Sequence, residues 1–479
     1  MIPEPASKTK ILCTLGPATR EVEVLVRMIT AGMDVVRLNF SHGTHEDHRL
    51  LLASVRKAIR QTGRHIGILQ DLQGPKIRIG TLAAPVVTLV PGGTLVITTE
   101  PVAGDAMRVS TTYAGLPSDV RPGDRILLDD GKLQLKVRTV HGNEVETEVV
   151  IGGALMPHKG INLPGVNVSS PSCTPKDLED LAFGLDEGVD YVALSFVRSA
   201  GDIGGLRRAI ARHRNGQGVQ VIAKIEKPEA IRAIHDIIHA ADGIMIARGD
   251  LGVEMPPEEV PILQKRIVAL CNAAGKPVII ATQMLESMIE NPRPTRAETN
   301  DVANAVLDGG DAVMLSGETS VGHYPLEAVT MMNRIILRAE AEQGLPGRRP
   351  SPLETTVSNR HEALGQAACM LAQQMHAAAI VAVTRSGQTA RVLSRYRPSP
   401  KIIAVTADAR TLQMLGLAWG VRGLVIPDLD DDSDKALHRI QERLAAGGWV
   451  RPGEYVVLLG GQPFLARGST NFIKVEKIG

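Results

Sequence analysis

Residues 221–250 read VIAKIEKPEAIRAIHDIIHAADGIMIARGD. Val221–Ile225 is a short apolar run with no alternation, as expected of a strand buried on both faces. A stretch with helical periodicity follows, and Gly243–Ala247 then repeats the apolar run. Each run ends on polar groups, Lys224 and Glu226 in the first, Arg248 and Asp250 in the second. One strand, one helix and a second strand of the same kind form a βα repeat. Working outward, the same unit recurs at Ile11–Leu15, Val35–Asn39, Ile66–Asp71, Tyr191–Phe196, Val278–Thr282 and Ala312–Leu315. Eight units fit a closed (β/α)₈ barrel. A doubly wound sheet gives the same repeat, so the barrel rests on the count of eight and on the polar strand ends.

The repeat is interrupted between its third and fourth runs. From Gly74 to Pro171 the chain is dense in Gly and Pro turns, with alternating pieces such as Thr94–Thr98 and Lys132–Val140. A barrel loop of that length needs its own core, so residues 74–171 are expected to form an inserted small β-barrel lid over the barrel's C-terminal face. The barrel then comprises residues 1–73 and 172–341. The segment from Glu342 to Pro350 reads as a linker. Residues 342–479 follow as a C-terminal α/β open-sheet domain, with strands expected at Ile380–Thr384, Ile402–Val405, Leu424–Ile426, Val456–Leu459 and Phe472–Val475.

In a βα barrel the chemistry projects from the C-terminal strand ends. Here those ends carry Arg37 and Asn39, Asp71, Ser195 and Arg198, Lys224 and Glu226, Arg248 and Asp250, Thr282 and Gln283, then Ser316 and Glu318. Any one could be a polar residue meeting water, but the pattern repeats at successive ends. Glu226 and Asp250 stand on neighbouring strands, where two carboxylates can share a hard divalent cation: Mg²⁺, with Mn²⁺ as the alternative. No His or Cys accompanies them at zinc spacing. Salt bridges to Lys224 and Arg248 are the structural alternative for the same two carboxylates. Arg37, Arg78 and Lys224 supply positive charge for phosphate oxygens. No GxxxxGK[ST] loop and no strand-to-helix GxGxxG occurs. His42, His45 and His48 read as a solvated helix start. The segment Thr384-Arg385-Ser386-Gly387-Gln388-Thr389 joins a strand to a helix and offers an anion cradle, with Gln462 and Arg467 in the last loop facing it; helix capping is the simpler alternative.

Bulk properties limit the partners. The 53 Lys and Arg balance 52 Asp and Glu, so no net field draws the chain to nucleic acid or to an anionic membrane. The N-terminus has no apolar signal region and no stretch is long enough to span a bilayer, so a cytoplasmic protein is expected. Cys13, Cys173, Cys271 and Cys369 are widely spaced, as in reduced packing residues.

At these residues the sequence resembles the pyruvate kinases along nearly its whole length. The stretches that carry the resemblance are 9–19, 32–43, 159–165 (KGINLPG), 223–226 (AKIE), 242–253 (DGIMIARGDLGV), 281–288 (ATQMLESM), 292–298 and 301–328. The resemblance implies phosphoenolpyruvate and ADP as substrates, a homotetramer, and activation by a phosphorylated sugar or nucleotide at residues 384–389, Gln462 and Arg467. It places Lys224 against the transferring phosphoryl group and makes Glu226 and Asp250 the Mg²⁺ ligands. Arg37 and Arg78 become phosphate-binding, Asn39, His42, Arg78 and Lys159 nucleotide-binding, and Gly249, Asp250, Thr282, Ser316 and Glu318 substrate-binding. Whether Thr282, or Ser316 and Glu318 through water, passes the proton stays open. One departure matters. Potassium-dependent members read DTKGPEIR where this chain reads DLQGPKIR over Asp71–Arg78, so Lys76 is expected to stand in for K⁺ near Asn39, Ser41 and Asp71, with a solvated lysine at the lid hinge as the alternative. Two rival readings remain at this point: a lyase using Lys224 as a Schiff base, and a catalytically silent sensor.

Overall fold

In the computed structural model, residues 7–342, 357, 359–427, 429, 433–461 and 470–479 are described. Eight parallel strands close into one barrel: β1 (Lys10–Thr14), β2 (Met33–Asn39), β3 (Gly67–Asp71), β4 (Tyr191–Leu194), β5 (Gln220–Ile225), β6 (Gly243–Ala247), β7 (Val278–Ala281) and β8 (Ala312–Leu315), with β8 returning to β1. The expected runs locate all eight, β6 and β8 with the same ends and the others with ends shifted by one or two residues; β4 is the shortest against expectation, because Phe196 turns left-handed (φ +54°). The period of two sorts the side chains. Leu12, Val35, Leu69, Tyr191, Ile222, Met245 and Ile279 fill the barrel interior, while Ile11, Cys13, Val36, Leu38, Val221 and Ala223 pack outward against the helices. Both faces are buried, which is why the runs are apolar without alternation.

The N-terminal ends of the even strands share a device. Asp34, Asp190, Asp242 and Asp311 accept the backbone N–H of Ile11, Ile68, Val221 and Val278, at 3.0, 2.9, 2.8 and 2.9 Å. Each even strand therefore plugs the first free N–H of the odd strand before it.

Between β3 and β4 the chain builds a six-stranded sheet, in the order Ile161–Asn162, Arg125–Leu128, Leu133–His141, Glu144–Ile151, Thr94–Thr98 and Arg108–Ser110, with a ribbon of Val87–Leu89 and Gly153–Leu155. It wraps a core of its own that includes Ile79, Leu95, Ile126, Leu135 and Leu155. The C-terminal five-stranded sheet runs Val421–Val425, Lys401–Thr406, Ala379–Val383, Tyr455–Gly460, Phe472–Lys477, with only the last strand antiparallel. The edge strand begins three residues before the expected Leu424, because Val421 pairs with Ile402. This tail docks on the N-terminal end of the barrel. Leu417 enters the barrel-interior cluster, Arg422 meets Asp34, and Arg397 meets Asp311.

Candidate active site

The C-terminal ends of β2 to β5 converge on one charged network. Arg37 donates through Nε to Asp71 Oδ2 at 2.7 Å and through a terminal nitrogen to Thr14 Oγ1 at 2.9 Å. Lys224 Nζ lies 3.2 Å from Asp71 Oδ1, 2.9 Å from Glu226 Oε1, and donates to Ser195 Oγ at 2.8 Å. Ser195 Oγ in turn donates a hydrogen bond to the Leu72 carbonyl (2.8 Å). All are almost wholly buried. Burial works against the charge on Lys224, but Asp71 and Glu226 overcome it and hold the ammonium above its ordinary pKa. Burial also opposes ionisation of Asp71, yet Lys224 and Arg37 bring its pKa below the usual carboxylate value. Glu226 goes the other way: burial, reinforced by the like charge of Asp250, outweighs Lys224 and raises it. The sequence places Asp71 and Ser195 among the polar strand ends, but it gives neither a part in holding Lys224. Their part in fixing Lys224 depends on three strands meeting, and no spacing reveals that.

Asp250 stands in the first turn of the helix Arg248–Glu254, directly after β6. Its expected partner Arg248 turns away, donating to the Ala281 and Thr282 carbonyls and pairing with Asp301 at 2.7 Å. Among the described residues no hydrogen bond or ion pair engages the Asp250 carboxylate. Two carboxylates that repel one another, one of them lacking a donor, suit a hard divalent cation. Gly249 N donates to Thr282 Oγ1 (2.8 Å), and that hydroxyl donates to the Ala281 carbonyl (2.6 Å). Thr282 and Gln283 are both left-handed (φ +70° and +56°), a strained pair that turns the chain sharply at the end of β7. Glu318, raised by burial, accepts Ser316 N and Leu285 N. Ser316 Oγ is buried with no hydrogen-bond partner among the described residues.

The remaining predicted residues lie around this network. Asn39 Oδ1 accepts Ser41 N. Partial burial, then the charges of Lys76, Arg78 and Arg37, hold the His42 ring below its ordinary pKa. Those three cations therefore face one histidine, although Lys76 itself is exposed. Arg78 and Lys159 belong to the lid, where Arg78 donates to His158 O (2.9 Å) and Lys159 pairs with Asp129 (2.8 Å); neither joins the Lys224 network. His45 and His48 sit in the first turn of a helix capped by Thr44, but the start is not simply solvated as expected: His48 is buried and stacks on Phe40, and His45 pairs with Asp180. No three-residue metal cluster of His, Cys, Asp or Glu occurs among the described residues.

In the tail, Thr384 Oγ1 accepts Gly387 N (2.9 Å), Gly387 is left-handed, and the helix Gln388–Arg395 begins there. Arg385, Ser386 and Gln388 are exposed, whereas Thr389 is buried against Thr470. Gln462 and Arg467 lie outside the described residues. A cavity of about 760 Å³ opens at the other end of the barrel, beside Asp34 and Arg422. None of the predicted site residues lines it, so strand polarity rather than cavity size locates the site.

Comparison with known proteins gives the same picture. Residues 6–329 match the family model "Pyruvate kinase, barrel domain", and residues 362–476 match "Pyruvate kinase, alpha/beta domain". The chain is 46% identical over 472 residues to a pyruvate kinase of Corynebacterium efficiens, covering 98% of each. It is 46% identical over 470 residues to one of Mycobacterium tuberculosis, again covering 98% of each. A crystal structure of a pyruvate kinase from Cryptosporidium parvum superposes with a TM-score of 0.90 at 37% identity, over 99% of this chain and 96% of that one.

Proposed function

Because this chain belongs to the pyruvate kinase family, we propose that the rim around Lys224 moves the phosphoryl group of phosphoenolpyruvate onto ADP, giving pyruvate and ATP. The observation that carries this is the Lys224 ammonium held between Asp71 and Glu226, with Asp250 on the next strand end. A charge fixed before the reaction costs no reorganisation when negative charge moves across the transferring group. Arg37, anchored on Asp71 and Thr14, presents a second cation to the phosphate. The raised pKa of Lys224 also weighs against the Schiff-base lyase, which needs a neutral amine.

Glu226 and Asp250 would hold Mg²⁺, or Mn²⁺ in its place, and the bound ion would neutralise phosphate and substrate oxygens. Gly249 and Thr282 form the floor beside Asp250. The Thr282 hydroxyl already donates a hydrogen bond to the Ala281 carbonyl and accepts one from Gly249 N, so the unpartnered Ser316 hydroxyl beside Glu318 is the better proton source for the enolate. Asn39, His42, Arg78 and Lys159 would take the nucleotide from the lid side.

The Lys76 charge that reaches His42 supports K⁺ independence. Two unit charges about 5 Å apart interact by roughly 3 kcal/mol at an effective dielectric of 20, so an ammonium there would repel a bound K⁺ and replace it. The exposed donors at Arg385, Ser386 and Gln388 support an anionic effector in the tail, sugar monophosphates first. A homotetramer and the division at residues 73, 171 and 341 complete the proposal.

A coupled assay of pyruvate formation tests it. With Mg²⁺ and tetramethylammonium as the only monovalent cation, full activity is expected, and Lys76→Glu should acquire a K⁺ requirement. A wild-type enzyme inert without K⁺ would overturn the Lys76 assignment. Saturation curves unmoved by sugar monophosphates, fructose 1,6-bisphosphate and AMP would overturn the tail site.

A further inference from the structure

We propose that Asn162, Glu254 and Lys227 form a latch between the lid and the helix that presents Asp250, which makes Glu254 a positioning residue for the phosphoryl transfer proposed above; the inference rests on that reading. Glu254 is the last residue of the helix Arg248–Glu254, and its side chain is 1% exposed. Its Oε1 accepts from Lys227 Nζ at 2.6 Å and from Asn162 Nδ2 at 3.0 Å. Its Oε2 is buried without a partner among the described residues. A buried carboxylate is tolerable only while its donors stay in place. This one depends on two, and they come from different parts of the molecule.

Lys227 leaves the end of β5, three residues after Lys224, and its ammonium lies 5.7 Å above the Phe196 ring. The N–H of Phe196 donates to Glu226 Oε2 at 2.8 Å. Asn162 belongs to the lid, on the strand paired with Arg125–Leu128. Among the described residues it is the only side chain of the lid sheet hydrogen-bonded to the barrel. The Arg198 guanidinium also crosses over, but it reaches the Val168 and Ser170 carbonyls in the returning connection. Glu254 is thus joined to both carboxylates of the site: to Asp250 through about one turn of its own helix, and to Glu226 through Lys227 and Phe196. Asn162, Lys227 and Asp250 line the same cleft between lid and barrel. Lifting the lid takes one donor from Glu254 and loosens the helix carrying Asp250. Substrate seated on Asp250 steadies that helix and favours the latched lid. By reciprocity, the two equilibria shift each other by the same factor.

The test uses Asn162→Asp, which keeps the shape and sets a carboxylate against Glu254. It is expected to raise KM for phosphoenolpyruvate about tenfold with kcat changed less than about threefold, the split that marks lost positioning rather than lost chemistry. Hydrogen exchange should speed up both in the lid strand Ile161–Asn162 and in the barrel helix 248–254. Adding Glu254→Gln supplies a new amide donor to the carboxylate introduced at position 162 and should restore both readouts. A merely structural contact would give neither the coupled exchange nor the rescue. If Asn162→Asp fails to fold, Asn162→Ser must shift KM and exchange in the same direction. Unchanged exchange in the helix, or a double variant no better than the single one, would overturn the latch. A wild type that makes no pyruvate would sink the functional reading instead, and the exchange experiment still decides the latch.

Discussion

The two ends of the barrel use the same residue types to opposite purpose. At the N-terminal end, Asp34, Asp242 and Asp311 each accept a backbone N–H and each meet an arginine: Arg422, Arg207 and Arg397. Each of these three carboxylates has an arginine partner there, so the charges hold strands, helices and tail together. At the C-terminal end Lys224 is held by Asp71 and Glu226, while Asp250 and Ser316 Oγ lack partners among the described residues. Charge concentrated and left partly unsatisfied is what a ligand can complete, and it is costly unless function retains it.

This contrast predicts that substitutions at the two ends separate activity from stability. The largest effect is expected at the C-terminal end, where Glu226→Gln should cost at least about a hundredfold in kcat at fixed Mg²⁺, the scale for one preorganised electrostatic contact. Its melting temperature should stay within about 3 °C of wild type by calorimetry, because Lys224 keeps Asp71 as a partner. At the other end, Arg397→Met takes the arginine from the buried Asp311 and removes donors to Asn272 Oδ1 and Gly309 O. A loss of about 3 kcal/mol in urea unfolding is expected, with the activity of the folded enzyme nearly unchanged.

A third effect, small per pH unit, is a pH slope from the one N-terminal aspartate of the four that forms no salt bridge among the described residues. Burial raises Asp190 to about 7, with Ile68 N–H and the more distant Arg410 only partly opposing it. Between the ordinary carboxylate range and pH 7 the unfolded chain has lost this proton while the folded chain keeps it. Stability should therefore fall as pH rises through that window, by at most about 1.4 kcal/mol per pH unit, and level off above it. Asp190→Asn keeps the acceptor for Ile68 and should abolish the slope in thermal melts from pH 5 to 8. An unchanged slope would show that the matched and unmatched aspartates do not differ.

Much of this was legible in the sequence, for identifiable reasons. Apolar runs ending on Lys224, Glu226 and Asp250 located the strands and their C-terminal ends, because burial on both faces leaves little choice of residue. The N-terminal device was written just as openly in Gly32-Met33-Asp34, Gly188-Val189-Asp190, Ala241-Asp242-Gly243 and Gly310-Asp311-Ala312. Its role in accepting the neighbouring strand's N–H appears only once the strands are paired. The turning away of Arg248 was not legible either. An Arg two residues before an Asp looks like a pair, but the helix starting at Arg248 points the two side chains apart. Glu254 gave no signal, since its donors come from residues 162 and 227.

The account stands most directly on Lys224, and the decisive measurement is the kcat of Lys224→Met beside its circular dichroism spectrum. A folded variant with pyruvate formation reduced at least about a hundredfold is expected, since the strand keeps its apolar stem and loses only the fixed charge. A folded variant turning over at near the wild-type rate would contradict it.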